Sequence, residues 1–331
     1  MHVAAIVTIP GATNSLPPGG AQLSGAQQAL RLNSPIATWD LLGETLLERM
    51  LSRIRVFGIG EIAVISEDAV PGFWSEWDKI VSTYLNHGLK TLLLIRVGPY
   101  LELDLSDLLR FHRETSSPLT QVYGGQRPVD LVAVEAAQLR QGSGSFRNRL
   151  RMMIPRQQRY SFIGYANRLR DARDFRQLAV DALCGRAAIR PIGSEIRANV
   201  WLGDEARLDG LARVEAPAYI GKRSTVRSGA SITGASTIEK DCEIDFATQI
   251  HDSSVLREIY IGAGLRVRGA VVGERRLLQL ARSVQLDFSN SRLIGSTNSL
   301  GKILKNSGMS WSARKFIGRA ACQPDNLQAH L

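Results

Sequence analysis

The sequence predicts an α/β protein, with a parallel sheet in the first half and a left-handed parallel β-helix in the second. Three observations carry this. Strand and helix patterns alternate over residues 1–145. From residue 196 to 256 every sixth position is Ile, Leu or Val. In the same register, the position four residues after each of these aliphatics from 202 to 250 is small, running from Ala206 and Ala212 to Thr248 and Ser254. A period of six fits neither a helix nor a half-buried strand. It suits a three-sided coil with one hexad per face, the aliphatic inside and the small residue where the backbone turns.

The first half reads in order as follows. Residues 3–9 are an apolar run expected as a buried strand, and 44–57 (ETLLERMLSRIRVF) an amphipathic helix stopped by Gly58. A strand is expected over 61–66, a helix over 74–86, and a fully buried strand over 91–97. A helix over 105–114 and a strand over 129–134 complete the series, with Gly124-Gly125 as a turn between strands. Strands separated by helices imply a parallel sheet covered on both faces, whose ligands bind beyond the C-terminal strand ends. The loops after Ile9, Ser66 and Val97 would line such a site.

The second half begins with residues 178–185, expected as a short helix capping the first coil. The hexads give about three and a half coils. The register then slips by one residue and resumes at Val255, Ile261 and Val267. Residues 274–331 lose the period and could cover the last coil. The expected divisions are therefore 1–177, with 147–177 as an Arg-rich connector, then 178–273 and 274–331.

Composition narrows the function classes. The chain has 331 residues and a net charge of +10, and its 22% charged content is that of an ordinary globular protein. Its longest apolar runs are too short to span a bilayer. The N-terminus has no basic segment and meets Pro10 early, so no leader and a cytoplasmic address are expected. Three cysteines without metal-ligand spacing suggest neither disulfides nor zinc. Residues 147–176 hold nine Arg and two Asp. Such a stretch fits phosphate, an acidic partner or an anionic surface, or else a solvated face. Nucleic acid is not expected, since no binding module and no interleaved aromatics occur.

The stretch 34–37 (SPIA) followed by 43–48 (GETLLE), the stretch 92–112 and the closing segment 259–273 (IYIGAGLRVRGAVVG) together resemble the nucleotide-sugar pyrophosphorylases, or sugar-1-phosphate nucleotidyltransferases. The resemblance covers most of residues 1–273. It implies a Rossmann-like nucleotidyltransferase domain ahead of the β-helix, and a role in sugar-nucleotide or cell-surface polysaccharide metabolism. It also implies a nucleotide or nucleotide-sugar ligand, and a homo-oligomer or a partner enzyme held through the β-helix.

The residues it assigns to ligand binding are Gly11, Thr13, Asn14, Gly98 and Asp104. Several positions depart from the family pattern. The first loop has one Gly and no Arg, Ser34 stands where the family has a phosphate-binding Lys, and Pro99 stands where it has a metal-binding Asp. Mg²⁺ is expected only if nucleotidyl transfer survives. The losses imply a regulatory, assembly or diverged member with a weakened nucleotide site.

Two alternatives remain: a hexapeptide-repeat acyltransferase with His251 as general base, and a non-catalytic scaffold. Asp104 and Asp107 also fit ordinary helix N-terminal positions. His112 fits a helix C-terminal dipole partner, and Trp74 and Trp77 fit core anchors.

Overall fold

The structure is a computed structural model that describes residues 2–10, 34–67, 73–141 and 144–298. The described residues fall into two compact units. One holds 2–10, 34–38, 45–67, 73–141 and 144–170, and the other holds 39–44 and 171–298.

The first unit is built on six strands: β1 (Val3–Ile9), β2 (Glu61–Ser66), β3 (Thr91–Arg96), β4 (Leu119–Gly124), β5 (Arg127–Glu135) and β6 (Gln158–Phe162). Their order is β2-β1-β3-β5-β4-β6. β1 pairs in parallel with β2 and β3, and β4 with β6. β5 runs antiparallel to both β3 and β4, so the sheet is mixed rather than parallel throughout. The cause is local. β4 and β5 form a hairpin closed at Gly125, whose φ of +66° suits glycine, and a hairpin reverses direction.

Alternation along β1 divides the core. Ala5 and Val7 join Leu93, Ile95 and Ala133 on one side, beneath α1 (Leu46–Val56) and α3 (Leu105–Glu114). Ala4 and Ile6 join Leu92 and Val134 on the other, beneath α2 (Phe73–Asn86), α4 (Ala136–Gln141) and α5 (Phe146–Met153). α1 starts with a capping box in which Thr45 and Glu48 satisfy each other's backbone N–H groups. Trp77 stacks on Phe146 at 5.3 Å and is a core anchor, whereas its neighbour Trp74 stays partly exposed.

The second unit is rich in short parallel strands. Successive strands visit three separate sheets in rotation, of eight, five and four strands. Partners on one sheet are 18 residues apart, as in Val214↔Ile232, Ile220↔Ile238 and Val226↔Ile244. The step shortens to 17 at Ile238↔Val255, where the hexad register slips, and stays 17 at Ile244↔Ile261 and Ile250↔Val267. From Leu202 onward the hexad aliphatics join one core, but Ile196 does not: it lies in Ser194–Arg197, which runs antiparallel to Val200–Leu202, and is exposed.

The corners explain the small residues more sharply than the sequence does. The left-handed turn falls one position before the small residue, at Glu205, Arg223, Ala235, Asp241 and Ala247, all with φ between 55° and 60°. The small residue itself then points inward as far as Thr248; past the slip the corner is Asp252, so Ser253 takes this place and Ser254 faces outward. The inward hydroxyl often ties one coil to the next: Ser224 Oγ donates to Glu239 O at 2.7 Å and accepts from Cys242 N–H at 2.9 Å. Thr248 Oγ1 likewise donates to Gly262 O.

Helix α6 (Ala172–Leu183) begins at the Asp171 cap, before the expected residue 178, and is followed by Gly185 at φ +71°. It does not cap the first coil. It lies along the eight-stranded sheet, where Arg176 donates to Ser254 Oγ, Gly234 O and Asp252. Outward residues of that sheet, Tyr219, Thr237, Ser254 and Val271, are consequently buried. The reason is chemical: these residues make an apolar and hydroxyl face that needs a cover.

Residues 39–44 cover the same region. Trp39 meets Phe175 edge-on at 5.0 Å, and the Glu239 carboxylate accepts the N–H groups of Leu42 at 2.8 Å and Gly43 at 2.9 Å. Among the described residues the first coil is the less covered one, its interior Leu202 and Leu208 being only half-buried. At the other end two antiparallel strands, Arg276–Gln279 and Val284–Asp287, extend the eight-stranded sheet. Ile294–Ser296 closes the five-stranded one.

Candidate functional site

Strand direction gathers chemistry at one edge of the six-stranded sheet. β1, β2 and β3 end there, and the antiparallel β5 begins there. Arg96, the last residue of β3, is gripped by Glu67, the residue after β2. Nε donates to Oε1 at 2.9 Å and Nη2 to Oε2 at 3.3 Å. Asp130, near the start of β5, places Oδ2 3.9 Å from Arg96 Nη1. Backbone bonds hold the frame: Glu67 N–H donates to Ile9 O at 3.0 Å, and Val97 N–H to Thr8 O at 2.7 Å.

The electrostatics follow from this geometry. The Glu67 hydrogen bond raises the Arg96 pKa, so the guanidinium is a fixed cation. Partial desolvation raises the Asp130 pKa from its ordinary value, Arg96 opposes the shift, and the Glu67 charge adds to it. A bidentate Arg–carboxylate pair with a second carboxylate beside it is a rigid polar platform. It can accept hydroxyl donors through Asp130, but it offers little unspent positive charge for phosphate.

The expected site residues separate. Gly98 lies at this edge, and a Cβ there would meet Asp130 Oδ2 at 3.8 Å. That is ordinary contact, so sterics do not demand glycine. Asp104 serves α3 instead, its carboxylate accepting the Ser106 N–H at 2.8 Å. Gly11, Thr13 and Asn14 lie outside the described residues. His251 is on the four-stranded sheet of the second unit, with Nδ1 2.9 Å from Thr233 Oγ1 and Arg268 in register beside it. Gly234 next to it has φ +68°, and a Cβ there would come within 2.8 Å of the His251 ring.

His112 is not the helix-dipole cation expected. It is buried, its Nδ1 lies 2.8 Å from Thr120 Oγ1, and desolvation pushes its pKa down to about 4. A neutral imidazole has no charge to offer the helix terminus.

The residues present do not fit Mg²⁺. Pro99 has no donor, Glu67 is occupied by Arg96, and among the described residues no group of three His, Cys, Asp or Glu side chains could hold a metal. Several arginines of 147–176 are spent on backbone carbonyls: Arg149 on Leu139, Arg159 on Gly125, and Arg173 on Leu280.

The Glu67–Arg96–Asp130 group is absent from the sequence reading, although its loops were in view. Glu67 follows the expected strand 61–66, and Arg96 lies in the expected strand 91–97. An all-parallel sheet separates Asp130 from them, because a parallel β5 would start at the opposite edge; the antiparallel β5 brings it in.

No protein-family model matches the chain, and no curated protein matches it. Among the described residues no helix is long and apolar enough to cross a membrane.

Proposed function

We propose that this protein is a diverged nucleotide-sugar pyrophosphorylase-like protein of sugar-nucleotide or cell-surface polysaccharide metabolism, acting as a regulatory or assembly subunit rather than as a nucleotidyltransferase. One observation carries the reading. At the strand edge where the chemistry would occur, the cation is neutralised by Glu67; the resemblance adds that Pro99 and Ser34 stand where the family has its metal and phosphate ligands. Nucleotidyl transfer depends on charge stabilisation of the phosphates, which this set lacks.

The mixed α/β sheet followed by three rotating parallel sheets supports the family architecture. The 18-residue pairing step and the six-residue spacing of left-handed corners support a left-handed parallel β-helix as the second unit. Its first coil, whose interior Leu202 and Leu208 are only half-buried among the described residues, is the surface through which a second copy or a partner enzyme would assemble.

Calorimetry with nucleoside triphosphates, Mg²⁺ and nucleotide sugars tests the reading. Nucleotide-sugar binding without triphosphate turnover is expected. Micromolar triphosphate binding with product release would overturn it.

A second reading has one specific observation behind it. The contact of His251 Nδ1 with Thr233 fixes the ring and leaves Nε2 for general-base work in acyl transfer. If an acyl-transfer activity is found, His251→Ala should abolish it. An unchanged rate would exclude His251 as the base.

A further inference from the structure

From Ala136 to Arg170 the chain carries eight Arg (140, 147, 149, 151, 156, 159, 168 and 170) and no Asp, Glu or Lys. Some of these arginines work internally. Arg140 donates to Leu89 O, Arg149 to Leu139 O and Arg159 to Gly125 O. Arg151 and Arg156 do not: both are exposed, and neither meets a carboxylate among the described residues.

Helix α5 explains their placement. Phe146 and Met153 are buried and Leu150 is half-buried, which turns the opposite face outward. Arg147 and Arg151 are four apart on that face, and Ile154 continues the line three residues on. Met152 stands beside them. Met152 is 78% exposed and Ile154 50%, in the midst of the unpaired arginines. Arg147 lies 5.2 Å from the centroid of the half-exposed Trp74 ring, which adds an indole to the same patch. Scattered exposed apolar side chains are normal on a protein surface. A methionine, an isoleucine and a tryptophan interleaved with guanidinium groups make a different surface.

We propose that this face of α5 docks the protein on an anionic phospholipid bilayer. The pairing of chemistries selects the partner. Guanidinium groups alone would fit any polyanion, but polyanions do not reward exposed Met and Ile. At a bilayer surface both needs are met at once. Arginines pair with lipid phosphate and carboxylate headgroups while short apolar side chains and an indole enter the headgroup–acyl boundary. The helix has eight residues and few apolar points, so the attachment is shallow and reversible. It does not depend on the pyrophosphorylase-like reading above.

Flotation of the full chain with phosphatidylcholine vesicles, with and without phosphatidylserine, tests this. Association is expected only with phosphatidylserine, and rising salt should weaken it. Arg151→Glu with Arg156→Glu should lower vesicle affinity at least about tenfold. Met152→Ser with Ile154→Ser should lower it several-fold and leave the remainder more salt-sensitive. Arg207→Glu with Arg213→Glu, an equal charge change on exposed residues of the second unit, should leave binding intact. All six positions are exposed, so unchanged melting is expected for each variant.

Any one of three results would overturn the proposal: no association, equal binding to neutral vesicles, or equal loss in the two arginine pairs. So would tight binding to polyuridine that the Arg151/Arg156 pair abolishes and the Met152/Ile154 pair does not affect. That outcome would assign the patch to a polyanion.

Discussion

Ile232, Ile238 and Ile244 occupy one environment three times over, each fully buried and each on a different sheet of the second unit. Trp77 in the first unit has no counterpart. It stacks on Phe146 and meets Phe73 and Trp74 from its own helix, and its fit depends on α2 and α5 meeting there. The second unit therefore repeats one packing solution, and loss at one coil is bounded by intact coils above and below. The first unit uses each contact once. The same contrast runs through the polar groups: Ser224 and Thr248 perform matching coil-to-coil bonds, whereas Glu67, Arg96 and Asp130 form a single group.

The contrast can be broken most forcefully in the aliphatic column. Ile232→Ala, Ile238→Ala and Ile244→Ala should each cost about 3–4 kcal/mol, with closely similar values, in denaturant unfolding. Costs differing by more than about 2 kcal/mol among the three would show that the three sheets do not offer equivalent sites.

A smaller effect is expected from paired glycines. Gly43 has φ +101°, and a Cβ there would lie 2.5 Å from the Tyr219 hydroxyl and 2.9 Å from Ile192 Cβ. Gly58 has φ +80°, with nothing within 4 Å of a Cβ. Gly43→Ala should cost about 3 kcal/mol and Gly58→Ala about 1 kcal/mol, by thermal melting. Equal costs would mean that residues 39–44 are not seated against the second unit's sheet.

His112 sharpens the comparison through pH. Burial holds its pKa near 4 in the folded chain against an ordinary 6.5. The unfolded chain therefore binds the extra proton more readily, and this contribution to stability is present above pH 6.5. It is lost as pH falls through the interval down to 4. Roughly 2 kcal/mol should disappear between pH 7 and pH 4.5. The loss should be absent in His112→Asn, measured as the difference between the two proteins across a pH series. A variant with an unaltered pH slope would exclude His112 as the source.

The legibility of the two units differs for the same reason. The hexad column and its slip near 256–260 could be read directly, because each hexad reports the same burial again and chance coincidence fades with every repeat. In the first unit the helices with strong boundary signals were also readable, such as α1 before Gly58 and α3 after Asp104. The direction of β5 was not, since its apolar residues look the same run either way. The site inherited that ambiguity. Arg96 and Glu67 lie on loops the sequence pointed to, but Asp130 joins them only because β5 is reversed. The position of α6 was equally hidden. Its amphipathic pattern says that one face is buried, and says nothing about which surface buries it.

By itself, the sequence determined the local periods: the six-residue repeat and its slip, most of the strands and helices, and most of the side chains that face inward in them. These depend on backbone geometry and on neighbours within a few residues. Only the tertiary structure decided the rest. It reversed β5, laid α6 along a sheet rather than over the first coil, and locked Glu67 onto Arg96. The last two depend on partners 29 to more than 70 residues away along the chain, whose competition for one another no local pattern encodes, whereas β5 is reversed by its pairing with the adjacent β4.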